Sequence, residues 1–170
     1  MKHLRFLLFF LAATLLAPAT LQAQLAIYGA GTGASLSNAS TNLGYGGLAG
    51  IYKQSGHVGS IINFGGDIRG TFISRDGFHY YTGAIGPRLA IKPHIIPLDP
   101  YIEGLVGVAS YNSGNGTSSS THFNYQVVGG LDLTIFPHLD WRIVDVAYSG
   151  VSGQNIKVVT FSTGLVLRLF

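Results

Sequence analysis

The sequence has no cysteine, which removes disulfide staples, thiolate nucleophiles and cysteine-ligated metal sites together. Charge is nearly as scarce: only 10% of the 170 residues are Asp, Glu, Lys or Arg, against about 25% in an ordinary globular domain. So little charge cannot cover the surface of a soluble protein of this size. A strong excess of one sign is missing too. "MKHLRFLLFFLAATLLAPATLQAQ" sets Lys2 and Arg5 before the apolar stretch Phe6 to Leu16, and small and polar residues follow. This is the tripartite layout of a secretory signal peptide, and the apolar stretch is well short of the roughly 20 residues of a spanning helix. Residues 1–23 are read as that signal, with cleavage after Ala23, or after Ala19 within "APA" as the alternative. Removing Lys2 and Arg5 leaves eight basic against seven acidic residues, a mature charge near +1. The formal +3 therefore points to no nucleic-acid partner, and the aromatic–basic interleaving of RNA and DNA binders is absent.

Helical patterning is also lacking. From Gln24 onward no segment keeps a 3.6-residue apolar stripe over a helix length. Alternation with period 2 recurs instead, at 24–36, 42–54, 58–73, 78–92, 99–112, 121–135, 140–149 and 156–170. These eight runs predict strands of a single domain, 24–170. Their connections alternate between two kinds. "SNAST", "SRDG", "SGNGTSSS" and "SGVSGQN" read as solvated hairpin loops, whereas "QSGH", "PHIIPLD" and "FPHLD" are short or stiffened by proline. Such alternation places all longer loops at one end of an up-and-down meander. The run lengths suit tilted strands crossing a membrane, where about 9–11 residues cover the apolar zone.

The two faces of the runs differ in an unusual way. Phe123, Tyr125, Val127, Leu131 and Leu133 oppose Asn124, Gln126, Gly130, Asp132 and Thr134; Ile62, Phe64, Ile68 and Phe72 oppose Asn63, Gly65, Asp67, Arg69 and Thr71. Likewise Tyr81, Ile85, Leu89 and Ile91 oppose Thr82, Gly86, Arg88, Ala90 and Lys92, and Ile102, Val106 and Val108 oppose Tyr101, Glu103, Gly107 and Ala109. The polar faces hold small residues and isolated charges, without the lysine and glutamate that keep a solvated sheet soluble. Small residues with opposite charges suit a narrow lumen, and the apolar faces suit lipid. Closure also removes the open edges that hydrocarbon forbids. The expected fold is therefore all-β, an eight-stranded antiparallel up-and-down transmembrane β-barrel, with a soluble lipocalin-like barrel as the alternative. Aromatics near run ends (Tyr28, Tyr45, Tyr80, Tyr81, Tyr101, Tyr111, Phe136, Trp141 and Tyr148) are candidates for the interfacial girdles. Three places strain the pattern. Arg142 and Asp145 are three apart and fall on opposite faces of a regular strand, so either a bulge intervenes or Asp145 lies near a water interface. The first two runs are too glycine-rich to fix their facing, and Pro87 removes a ladder donor inside the fourth.

The closing "VVTFSTGLVLRLF" keeps its alternation to within one residue of the carboxylate. Together with the signal, the eight runs and the alternating loops, it resembles the small outer-membrane β-barrel proteins of Gram-negative bacteria, the OmpA-like superfamily. "YTGAIGPRLAIKPHIIPLDPYIEGLVGVASY" and "VVGGLDLTIFPHLDWRIVDVAYSG" are especially similar, the latter through Gly130, Asp132, Pro137 and Arg142 around a periplasmic turn. The resemblance implies residence in the outer membrane, outer-membrane lipids as surroundings, and periplasmic chaperones and the outer-membrane assembly machinery as partners. That machinery recognises a terminal aromatic, here Phe170. Arg168 departs from the usual apolar series in step with it. The partner of the outer loops is left unassigned.

Candidate chemistry concentrates in Asp67, Arg69, Arg88, Lys92, Glu103, Asp132, Arg142 and Arg168, read as a lumen charge network. An eight-stranded barrel leaves a lumen just wide enough for side chains or one small ligand. The charges are either ion pairs satisfying one another or a polar path through a porin-like channel. No catalytic group is assigned. His122 stands beside Ser118, Ser119 and Ser120, a juxtaposition explained by composition, and the His-x-Ser pair of outer-membrane lipid A deacylases does not occur. No metal site follows either, because no histidines pair at i,i+2 or i,i+4. The glycines of "YGAGTGAS" lack the helix and acidic residue of a phosphate loop, so no cofactor is implied. The reading is a non-enzymatic barrel with a structural or surface-interaction role; the alternatives are a narrow ion or small-solute channel and, behind it, a lipid-modifying hydrolase.

Overall fold

A computed structural model describes residues 23–36, 43–55, 61–75, 78–93, 96–113, 120–153 and 157–169. Residues 1–22 of the signal-peptide reading, Phe170 with the role given to it, and Ser118 and Ser119 near His122 lie outside the described residues. Eight strands run in chain order: β1 (Ala23–Leu36), β2 (Leu43–Ser55), β3 (Ile62–Arg75), β4 (Phe78–Ile91), β5 (Leu98–Ser113), β6 (Ser120–Phe136), β7 (Leu139–Val151) and β8 (Lys157–Arg168). Each pairs antiparallel with the next, and β8 returns to β1 from Ala26↔Arg168 to Leu36↔Val158. The sheet is a closed barrel without an open edge, as the alternation predicts.

Facing follows the inverted pattern. Phe64, Ile68, Ile85, Ile102, Val106, Phe123 and Val127 point outward, each more than half exposed, while Asn63, Asp67, Arg69, Arg88, Glu103, Asn124 and Gln126 are buried inside. The pleat fixes the glycine-rich strands too, turning Ala26, Tyr28, Thr32 and Ala34 of β1 and Leu48, Tyr52 and Gln54 of β2 into the lumen. The girdle reading needs correction for three aromatics. Tyr28, Tyr80 and Tyr101 are at most 5% exposed and sit in the lumen, whereas Tyr45, Tyr81, Phe136, Trp141 and Tyr148 face outward. Strand parity overrides nearness to a strand end, because the pleat alone decides which way a side chain leaves the sheet.

Two inward tyrosines need a glycine opposite them. Tyr28 pairs with Gly50 and Tyr101 with Gly130, and a Cβ on either glycine would collide with the facing ring. The rings therefore lie flat over bare backbone and keep the narrow lumen from overfilling. On β7 the conflict between Arg142 and Asp145 is resolved by a bulge. Leu131 pairs with Val144 but Asp132 with Arg142, so Ile143 is the extra residue, and both charged side chains point inward. Pro87 faces outward where the β4–β5 pairing breaks between Ile85↔Val106 and Arg88↔Glu103. The β6–β7 turn, Pro137–His138, holds His138 at φ 73°, a left-handed conformation in which histidine is among the better tolerated non-glycine residues.

Candidate functional site

From the short-turn end toward the loop end, β6 presents Asp132, Val128, Gln126 and Asn124 to the lumen, and β7 presents Arg142, Asp145, Ala147, Ser149 and Val151. β4 and β5 repeat the order with Arg88, Ala84, Thr82 and Tyr80, and with Glu103, Leu105 and Ala109. The interior is thus graded. An ionic layer gives way to small apolar contacts, then to amides and hydroxyls, then to an apolar plug of Ala34, Ile73, Tyr80, Ala109, Val151 and Val158.

The ionic layer is the chemically dense part. Arg69 donates to Glu103 at 2.8 Å and to both oxygens of Asp145 at 3.2 and 3.1 Å. Arg88 donates to Glu103 at 2.5 Å and Asp132 at 3.1 Å, and Arg142 makes a two-pronged contact with Asp132 at 2.9 and 3.2 Å. The carboxylates of Asp67, Glu103, Asp132 and Asp145 thus meet three guanidiniums. Asp67, 4.0 Å from Arg69, is held by the Tyr28 hydroxyl, which reaches both its oxygens at 2.8 and 2.9 Å. Tyr101 donates to Asp145 at 2.6 Å. The rings also stack on the cations. The Arg88 guanidinium lies 4.2 Å from the Tyr52 centroid and 3.7 Å from that of Tyr101, and Arg142 lies 4.1 and 4.8 Å from those of Tyr28 and Tyr101. Desolvated contacts of this kind are worth about 2 kcal/mol or more each. All seven charged residues are at most 2% exposed. Burial at that level is tolerable only because nearly every charge finds a partner.

The eight sequence-selected charges divide. Asp67, Arg69, Arg88, Glu103, Asp132 and Arg142 meet in one cluster. Arg168 stands apart at the short-turn end, bonded to Asp140 and to Thr134 at 2.6 Å. Lys92 is not in the network: it follows the last residue of β4, is about one-third exposed, and pairs with Asp99 at 3.7 Å. Sequence reasoning left out Asp145, Asp140, Tyr28, Tyr52 and Tyr101. The three-residue spacing of Arg142 and Asp145 was the available signal for Asp145; for the tyrosines it was parity. At the loop end, Ser74 Oγ and His79 Nδ1 lie 3.1 Å apart as a directly paired cross-strand couple, which the sequence did not single out.

The closed eight-stranded sheet, apolar outside and ionic within, defines the class: this is the fold of the small outer-membrane β-barrels. No protein-family model matches the chain, and no curated protein matches it. Among solved structures it is similar to Neisserial surface protein A, at 17% identity and TM-score 0.54 over 86% of this chain and 97% of that one. Ail, the attachment invasion locus protein of Yersinia pestis, matches at 17% identity and TM-score 0.51, with the same coverage. The outer membrane enzyme PagL matches at 16% identity and TM-score 0.53, over 83% of this chain and 98% of its own. A surface protein, an attachment protein and an enzyme share one scaffold, so the likeness carries the fold and no activity.

Proposed function

We propose that the chain is a non-enzymatic protein of the Gram-negative outer membrane, whose barrel is a closed structural scaffold and whose loop end carries any surface interaction. One observation carries the reading: the charged lumen residues are consumed by one another. Arg69, Arg88 and Arg142 are spent on four carboxylates and three tyrosine rings, and an apolar plug stands between this layer and the loop end. An eight-stranded wall has no spare radius for a water file beside such packing. The outward Ile, Val and Phe surface calls for lipid. In this reading the short turns and both ends of the closed sheet face the periplasm, and the assembly machinery and periplasmic chaperones are the folding partners.

Planar-bilayer recording of refolded protein tests the scaffold reading. No steady conductance is expected, and replacing Arg88 or Glu103 should lower stability without creating current. Reproducible, ion-selective currents abolished at Glu103 would establish the narrow channel instead. Lipid mass analysis addresses hydrolysis: turnover lost in Ser74→Ala and His79→Ala would make the loop-end couple a nucleophile and base. Recovery of the mature chain without detergent in the soluble fraction would rule out membrane residence.

A further inference from the structure

On the outer wall, strand register aligns Ile27, Ile51, Ile68 and Ile85 across β1 to β4. The next outward row toward the short-turn end is Leu25, Lys53, Gly66 and Pro87. Gly66 contributes no side chain to this row, and the wall sinks there into a depression of about 260 Å³ lined by Leu25, Ile51, Lys53, Gly66, Ile68 and Ile85, with the buried Tyr52 and Asp67 at its floor. Fold packing does not demand that glycine. A Cβ at Gly66 would meet nothing nearer than Gly86 O at 3.7 Å, in contrast to the collisions behind Gly50 and Gly130. Lys53 at the rim is exposed and has no ion-pair or hydrogen-bond partner among the described residues. The other described cations of that end, Lys92 and Arg168, are both paired.

Resting on the membrane reading above, we infer that this depression seats one acyl chain of a periplasmic-leaflet glycerophospholipid whose phosphate pairs with Lys53. The volume lies below the roughly 300–1,000 Å³ of sites that enclose a whole small ligand, and suits a segment of one hydrocarbon chain. Tyr52 and Asp67 are turned into the lumen, so the accessible lining is apolar apart from Lys53 and offers a peptide few hydrogen-bond partners, whereas methylenes need none. A lysine on such a wall lays its stem along the hydrocarbon and carries its ammonium to the polar boundary, where phosphates lie. One cation near an anionic lipid surface contributes about 1 kcal/mol, a factor of about five in occupancy.

Native mass spectrometry of protein refolded in mixed micelles tests this, with phosphatidylglycerol or a diacylglycerol of the same chains as probe. The unmodified barrel should retain phosphatidylglycerol about fivefold better than diacylglycerol. Lys53→Ala should abolish that preference, and Gly66→Leu should reduce retention of both lipids. Gly31→Leu, which adds the same side chain at an outward glycine with open space around it, should change neither. Equal retention in all four proteins overturns the groove, as does an equal loss in Gly31→Leu and Gly66→Leu. A headgroup preference that survives Lys53→Ala overturns the phosphate contact. Protein that folds without entering micelles would overturn the membrane reading instead, a result distinct from a micelle-bound barrel that ignores these substitutions.

Discussion

Between its short-turn half and its loop half the lumen changes how its polar groups are satisfied. Around Arg69, Arg88 and Arg142 every bond involves a charge, and the ties cross the barrel: Tyr28 of β1 to Asp67 of β3, Arg69 of β3 to Asp145 of β7, Arg88 of β4 to Asp132 of β6. Around Asn124 and Ser149 the bonds are neutral. Asn124 donates to Ser149 at 2.7 Å and to Gly150 O at 3.1 Å, Gln126 donates to Asn124 and Thr82, and Thr32 and Ser162 meet at 2.9 Å. The cluster around Arg69, Arg88 and Arg142 draws on every strand except β8, so the loss of one member strands charges contributed by other strands. The neutral half consists of smaller groups that lose one bond at a time. The difference teaches that the charge-assisted ties of this barrel are concentrated away from the loops, and that neutral bonds and apolar packing hold the end beside them.

The sharpest way to break the contrast is Glu103→Ala, which leaves Arg69 and Arg88 short of a carboxylate in a site at most 2% exposed. Unfolding in urea, followed by the loss of β-sheet circular dichroism, should show a cost of about 3–5 kcal/mol. The outer wall sets an independent scale: Val127→Arg should cost about 2–4 kcal/mol in a bilayer, and equal stability of that variant and the unmodified chain would contradict the inverted facing. Gly130→Ala pushes the Tyr101 ring off its backbone seat and away from Asp145, with an overpacking cost of about 1–3 kcal/mol on the same unfolding measurement. In the neutral half, Asn124→Ala should cost about 1 kcal/mol through the bonds it gives up. Thr32→Val, which loses one hydroxyl pair, should shift the midpoint by less than about 1 kcal/mol. An unfolding series in which Thr32 and Glu103 variants cost the same would erase the distinction between the two halves.

Strand number, order and facing were legible because alternation is a local property. Each run from β3 to β6 sorts its inward from its outward residues within a few positions, without reference to any other strand. The same rule placed Tyr101 beside Glu103, and it should have outweighed the nearness to a strand end that suggested a girdle. Where the pattern broke, at Arg142 and Asp145, the break left a bulge and a water interface both open, and only the register settled on a bulge at Ile143. Alternation says nothing about where the wall stops, so it gave no sign that Lys92 falls just past the end of β4 and pairs with Asp99.

The sequence by itself determined that this chain closes a barrel with lipid-type residues outside and charges inside, since both follow from a two-residue period and a shortage of surface charge. Tertiary structure alone decided which charges meet. Arg69 reaches Glu103 and Asp145, 34 and 76 positions away, and Tyr28 reaches Asp67, 39 away. Those meetings depend on the strand register and on the curvature that turns distant strands to face one another across the lumen. So does the dent at Gly66, visible only when β2, β3 and β4 lie side by side. A one-dimensional pattern carries parity, and parity chooses a face; the partner on that face is chosen by how far the closed sheet is sheared and bent.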